Sequence, residues 1–116
     1  MNKHQALNGW LGGFCPAYVA GSVPDSAEPP YITYVDAWGS LFDETTIPVT
    51  VWGDDGTAKQ VNAIADSIAE QVARGCVLRF EGGGMWLKPG APFCYSSSNI
   101  GRGRRAVYIN LNIETL

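Results

Sequence analysis

The side chains able to do chemistry in this chain are few: one histidine, His4; three cysteines, Cys15, Cys76 and Cys94; two carboxylate pairs, Asp43-Glu44 and Asp54-Asp55; and three arginines, Arg102, Arg104 and Arg105. A histidine acts as a general base only beside a hydroxyl or thiol whose proton it takes. His4 has no serine or cysteine at a pairing distance in sequence and reads as a solvated terminal side chain. The serines Ser96, Ser97 and Ser98 run into Asn99-Ile100 instead of a Gly-x-Ser-x-Gly turn, so they read as loop. Three cysteines without a C-x-x-C pair make neither a disulfide framework nor a zinc site, and buried reduced thiols are expected. The carboxylate pairs lack the spacing of an EF-hand, and Asp54-Asp55 stands where the positive start of a helix favours negative charge. Gly82-Gly83-Gly84 is followed by neither a Lys-Ser/Thr step nor a helix, so a hairpin turn is expected there and not a phosphate cradle. No catalytic, cofactor-binding or metal-ligating residue is assigned on these grounds.

Two segments carry side chains suited to protein contact. Arg102, Arg104 and Arg105 alternate with Gly101 and Gly103, and their planar, forked donors match phosphate or an acidic protein surface. The stretch from Ala37 to Thr46 is too long for a tight turn and carries Trp38, Leu41 and Phe42, unusually aromatic for a solvated loop. These six residues are the interface candidates. A net charge of −3 and a pI near 4.9 argue against a protein whose main task is gripping phosphate backbones.

The elements that position these segments follow from periodicity. From Thr57 to Gly75, the apolar residues Val61, Ile64, Ala65, Ile68, Ala69 and Val72 recur at three- and four-residue spacing, which predicts one long amphipathic helix. Thr57 with Gln60 reads as its capping box and Gly75 as its left-handed stop. Tyr31–Asp36 and Ile47–Trp52 are strand-like, with Val49 and Val51 alternating against Thr50 and Trp52. Cys76–Phe80 and Met85–Lys88 flank the three glycines; Phe93–Ser96 resumes after Pro89 and Pro92 as a bent or edge strand. Val107, Ile109, Leu111 and Ile113 mark the last strand. Ala6, Leu7, Trp10, Leu11 and Phe14 suit a short N-terminal helix weakened by Gly9, Gly12 and Gly13, and the proline-rich stretch from Cys15 to Pro30 leaves at most an extended piece around Tyr18-Val19.

The expected fold is α+β: a mainly antiparallel sheet of four to five strands, one long amphipathic helix packed on it, and a short N-terminal helix. The 116 residues are read as a single domain, with residues 1–30 as short helix and loop and 31–116 as the sheet and helix core. An apolar content of 46% suits a water-exposed globule. No apolar run approaches the roughly 18 residues that span a bilayer, and the first residues lack a continuous apolar segment of the kind that directs secretion.

The motifs Tyr18-Val19, Val23-Pro24-Asp25-Ser26-Ala27 and Pro29-Pro30-Tyr31-Ile32-Thr33 come first. Ile47-Pro48-Val49-Thr50-Val51-Trp52, a capped helix, Pro89-Gly90-Ala91-Pro92-Phe93 and a closing Tyr108-Ile109-Asn110-Leu111 strand follow in order. In this order they resemble the tail-terminator and tail-completion (head–tail joining) proteins of tailed bacteriophages, over about Ala17 to Leu116. The short, glycine-broken N-terminal helix and the aromatic loop at Trp38–Phe42 depart from that pattern. The resemblance implies a minor tail component that forms a homomeric ring, commonly a hexamer, which caps the tail tube and joins it to the head. Its partners would be other copies of the chain and the tail-tube and head–tail connector proteins. DNA would pass through without specific binding, no membrane would be engaged, and no cofactor is implied. The expected location is the virion tail after synthesis in the host bacterial cytoplasm, and a ring protein of this kind needs no catalytic group. An acidic balance suits a pore that DNA must leave freely. One alternative is a monomeric binding module for a small ligand or nucleic acid, using the arginine loop and Tyr95 against the sheet. Another is an enzyme, which would need Asp36, Glu44, Glu81 and Lys88 to converge on folding.

Overall fold

The fold is that of a computed structural model, described for residues 1–37, 44–97 and 103–116. Helix α1 covers Lys3–Gly12 and helix α2 covers Ala58–Ala73, the latter entered through a single 3-10 turn at Asp55–Thr57. Six strands, β1 (Ala17–Val19), β2 (Tyr31–Tyr34), β3 (Thr45–Asp54), β4 (Cys76–Phe80), β5 (Gly83–Ser97) and β6 (Arg104–Thr115), form one sheet in the order β1-β2-β3-β6-β5-β4. Every neighbouring pair is antiparallel except β1 and β2. The architecture is the expected α+β arrangement, with a curled, mostly antiparallel sheet.

The core sits between the helices and one face of the sheet. The two-residue period of the central strands sends Ile47, Val49 and Val51 of β3 and Val107, Ile109, Leu111 and Ile113 of β6 to that face, where all are buried. They meet the stripe Val61, Ala65, Ile68 and Val72 of α2. Each fully buried Val, Leu or Ile contributes about 1.5–3 kcal/mol, so this interleaved layer is the main stabilising contact of the molecule. Gly53 makes it possible where α2 begins: a Cβ there would stand 2.2 Å from Val61 Cγ2 and 2.8 Å from Thr57 Oγ1.

The caps differ from the expected ones at one end. The cap lies one turn earlier than Thr57-Gln60: the Thr57 hydroxyl accepts from the Asp54 backbone N–H at 2.9 Å and lies 3.0 Å from Asp54 Oδ1, which closes the 3-10 turn that leads into α2. The stop is the expected one, Gly75 at φ 82°.

The N-terminal helix is better specified than its glycines suggest. Asn2 and Gln5 form a reciprocal capping box, each accepting the other's backbone N–H at 2.9 Å, and Ala6, Leu7 and Leu11 are buried in the common core. Helix α1 touches both β1 and β4, the two outermost strands, so the sheet curls around the helical layer. The N-terminal segment, helix and preceding residues together, also ties to both outer strands. Asn8 Nδ2 donates to the Ala17 carbonyl at 3.3 Å on β1, and the Glu81 N–H just past β4 donates to the Met1 carbonyl at 2.8 Å. Open strand edges template unwanted pairing, and these bonds occupy part of each.

The strand count exceeds the sequence reading at one place. The extended piece at Tyr18-Val19 is a true strand, because its pairing is parallel and supplied by distant β2. The two expected pieces Met85–Lys88 and Phe93–Ser96 belong to one long β5 whose register shifts between Pro89 and Cys94. At that irregularity a Cβ on Gly90 would lie 2.8 Å from the Asn110 carbonyl, and Asn110 Nδ2 satisfies the Pro92 carbonyl at 2.9 Å. Ser96 pairs with Val107 as the end of the expected Phe93–Ser96 piece, and Ser97, expected in a loop, extends β5 by pairing with Ala106.

Candidate interaction surfaces on the outer sheet face

Strand alternation that buries one set of residues presents the other set on the opposite face, away from both helices. That outer face carries Thr33 from β2, Thr46 and Thr50 from β3, and Tyr108, Asn110 and Asn112 from β6, a belt of small polar groups and one tyrosine. Thr46 Oγ1 donates to Asn112 Oδ1 across the strands at 2.9 Å. Aromatic and apolar residues gather at two opposite corners of the belt.

At the first corner Tyr31 lies directly opposite Trp52. Trp52 Nε1–H donates to Thr33 Oγ1 at 2.8 Å, which fixes the indole, and Tyr18 meets Tyr31 edge-on with ring centroids 6.1 Å apart. Together with Ala20, Gly21, Val23 and Arg104 these residues line an open pocket of about 280 Å³. Alternation separates the two described arginines of the charged segment. Arg104 turns to this pocket and has no ion-pair partner among the described residues, while Arg105 turns to the helix side and its Nε–H donates to Asp55 Oδ1 at 3.1 Å. Asp55 therefore serves the start of α2 and anchors the arginine as well.

At the second corner Trp86 of β5 faces Val77 of the edge strand β4. Trp86 is 40% exposed and Val77 49%, both high for large apolar side chains. Lys88 Nζ lies 4.7 Å from the Trp86 ring centroid, pairs with Glu44, and stands 3.5 Å from Glu114. The hydrogen bond that Lys88 donates to Glu44 is the main cause that raises the Lys88 ammonium above its ordinary value, with the charges of Glu44 and Glu114 adding to it against some desolvation.

The remaining titratable groups do not converge. His4 is not a free terminal side chain: it sits in α1 with Nδ1 2.7 Å from Asp36 Oδ2. Glu81 pairs with the amino group of Met1 at 3.2 Å. Of Asp36, Glu44, Glu81 and Lys88, only Glu44 and Lys88 meet. Among the described residues no three His, Cys, Asp or Glu side chains are placed to share a metal ion. The cysteines are less uniform than expected: Cys15 and Cys76 are half-buried and Cys94 is exposed. Burial pushes the Cys15 thiol up to about 11.

Of the six interface candidates, Arg104 and Arg105 are placed as above; Trp38, Leu41, Phe42 and Arg102 lie outside the described residues. The corner residues Tyr31, Trp52, Val77 and Trp86 carried a signal in the sequence, since Trp52 falls out of phase with Ile47, Val49 and Val51. Bringing them together needed the strand order and register. No family model, no curated protein and no solved structure matches the chain.

Proposed function

We propose that this chain is a structural subunit of a bacteriophage tail, a terminator whose copies form a ring on the tail tube and join it to the head. The observation that supports this reading best is the sheet with helices on one face only. Its open face holds two aromatic or apolar corners separated by a polar belt, surface of the kind that marks contact with other proteins. The resemblance of the motif order to that of tail-terminator proteins is a second support for this reading. Arg104, projecting beside Trp52 without an ionic partner among the described residues, is suited to an acidic surface on a docked neighbour.

Replacing Arg102 and Arg104 with Ser tests the role of the arginine segment. The expected result is poor joining of heads to tails by a protein with an unchanged circular-dichroism spectrum and melting temperature, since Arg104 is exposed and makes no ion pair among the described residues. Normal joining by that variant would remove the segment from the docking surface. Extending the change to Arg105 also removes the contact to Asp55, so the double variant is the cleaner probe.

The pocket beside Arg104 also favours a second reading, a monomeric module that binds a small anionic ligand or a nucleic acid on Tyr31 and Trp52. Retention on single-stranded DNA at physiological salt, lost on Trp52→Ala, would support that alternative over the ring.

A further inference from the structure

The pocket at the first corner is graded along the strands from charged to apolar to polar. Register sets three rows on the outer face: Arg104 opposite Asp54, then Tyr31, Trp52 and Ala106, then Thr33, Thr50 and Tyr108. The pocket takes Arg104 from the first row, Tyr31 and Trp52 from the second and Thr33 from the third. A guanidinium therefore stands at one end, two rings in the middle and a hydroxyl at the other end. The Thr33 oxygen accepts the Trp52 indole N–H at 2.8 Å, which leaves its own proton to donate. The wall that carries Ala20, Gly21 and Val23 is tied down by the backbone. Ala20 N–H donates to the Tyr34 carbonyl at 2.8 Å, and Ser22 N–H to the Val19 carbonyl at 2.9 Å. The site is thus formed before a ligand arrives, as small-molecule sites generally are.

We propose that this pocket binds a monoanionic carboxylate carried on a flat apolar body, with the carboxylate on Arg104 and the body against Tyr31 and Trp52. The inference rests on the second reading above, in which the pocket takes an anion, and narrows that reading to one chemical class; it does not depend on the ring. A dry cavity of about 150 Å³ accepts a benzene ring. The pocket, at about 280 Å³, has room for one ring and a carboxylate. Arg104 makes no ion pair among the described residues, and its planar fork matches the two oxygens of a carboxylate. Its surroundings select a single charge. Asp54 stands across the ladder from Arg104 with Oδ1 3.0 Å from the Thr57 hydroxyl, and Arg105 is engaged by Asp55. One available cation near two carboxylates, in a chain of net charge −3, favours a monoanion over a dianion or a phosphate backbone. A free aromatic acid and the C-terminal residue of a peptide both offer this chemistry.

The test is fluorine magnetic resonance of para-fluorophenylacetate titrated with the full chain, beside the matching amide, para-fluorophenyl phosphate and N-acetyl-para-fluorophenylalanine. The acid should bind about tenfold or more tightly than the uncharged amide, and more tightly than the phosphate. Arg104→Gln should weaken the acid about tenfold and erase its advantage over the amide. Ala20→Trp, which fills the pocket and leaves Arg104 in place, should abolish binding of both. Unchanged circular dichroism in each variant separates a lost site from a lost fold. Tighter binding of the N-acetyl compound than of the phenylacetate assigns the carboxylate to a chain terminus, and the reverse order assigns it to a free acid; both orders support the site. Equal affinity for acid and amide, or an Arg104→Gln protein that binds the acid as before, overturns the carboxylate assignment. A phosphate that binds more tightly than the acid also overturns it and leaves an anion pocket standing. Failure of all four probes overturns it too; retention on single-stranded DNA then keeps the broader pocket reading, and absence of retention removes both.

Discussion

Individual side chains in this molecule are sorted by strand and helix phase more than by their chemistry. Arg104 and Arg105 are adjacent in sequence, yet one borders an aromatic pocket on the outer face and the other closes an ion pair at the start of α2. The three cysteines also differ in burial. Cys94 is exposed, whereas burial holds the Cys15 thiol at about 11, so at pH 8 only about one Cys15 in a thousand is the reactive thiolate. Alkylation of the folded protein at pH 8, followed by mass spectrometry, should label Cys94 first and Cys15 last. Because the Cys15 value is raised, its labelling should quicken with each step in pH up to about 11 for as long as the fold holds. Equal labelling of both at pH 8 would contradict the burial described for Cys15.

At the scale of elements, α2 and the central strands carry the fold, and the tightest joint between them is at Gly53. Gly53→Ala would drive a methyl into Val61 and Thr57, and overpacking of this kind costs about 1–3 kcal/mol. Urea unfolding should show a lower midpoint with an unchanged slope; an unchanged midpoint would mean that α2 is not seated on β3 as described. The sequence made these central parts legible because their burial is periodic: Val107 to Ile113 alternates cleanly, and α2 has one apolar stripe with a glycine stop. Less was legible where pairing is remote or local signals compete. The strand β1 is only three residues long and is defined by parallel pairing to β2. Thr57-x-x-Gln60 fits the capping-box pattern, yet the reciprocal bonds are made one turn earlier, between Asp54 and Thr57. Helix α1 contains Gly9 and Gly12, with Gly13 as its C-cap, but a capping box and three buried side chains outweigh the intrinsic cost of about 1 kcal/mol for a glycine inside a helix. The outer-face corners were the least legible, because Val77 meets Trp86 and Tyr31 meets Trp52 only once strand register is set.

As a whole the molecule covers one face of its sheet with helices and ties its N-terminal segment to both outer strands, and among the described residues its exposed large apolar side chains, apart from Met1 and Leu116, lie on β1, β4 and β5 and just after β2. This division suits a subunit that avoids indiscriminate strand pairing and still offers defined side-chain contacts to its neighbours. The net charge of −3 is compatible with the proposed role beside DNA in transit. The central claim is assembly, and the absolute mass in solution addresses it most directly. Light scattering across a concentration series, with negative-stain images of the largest species and a parallel sample on isolated tail tubes, should reveal closed rings of several subunits. A strict monomer at every concentration, with the tubes as without them, would contradict the account.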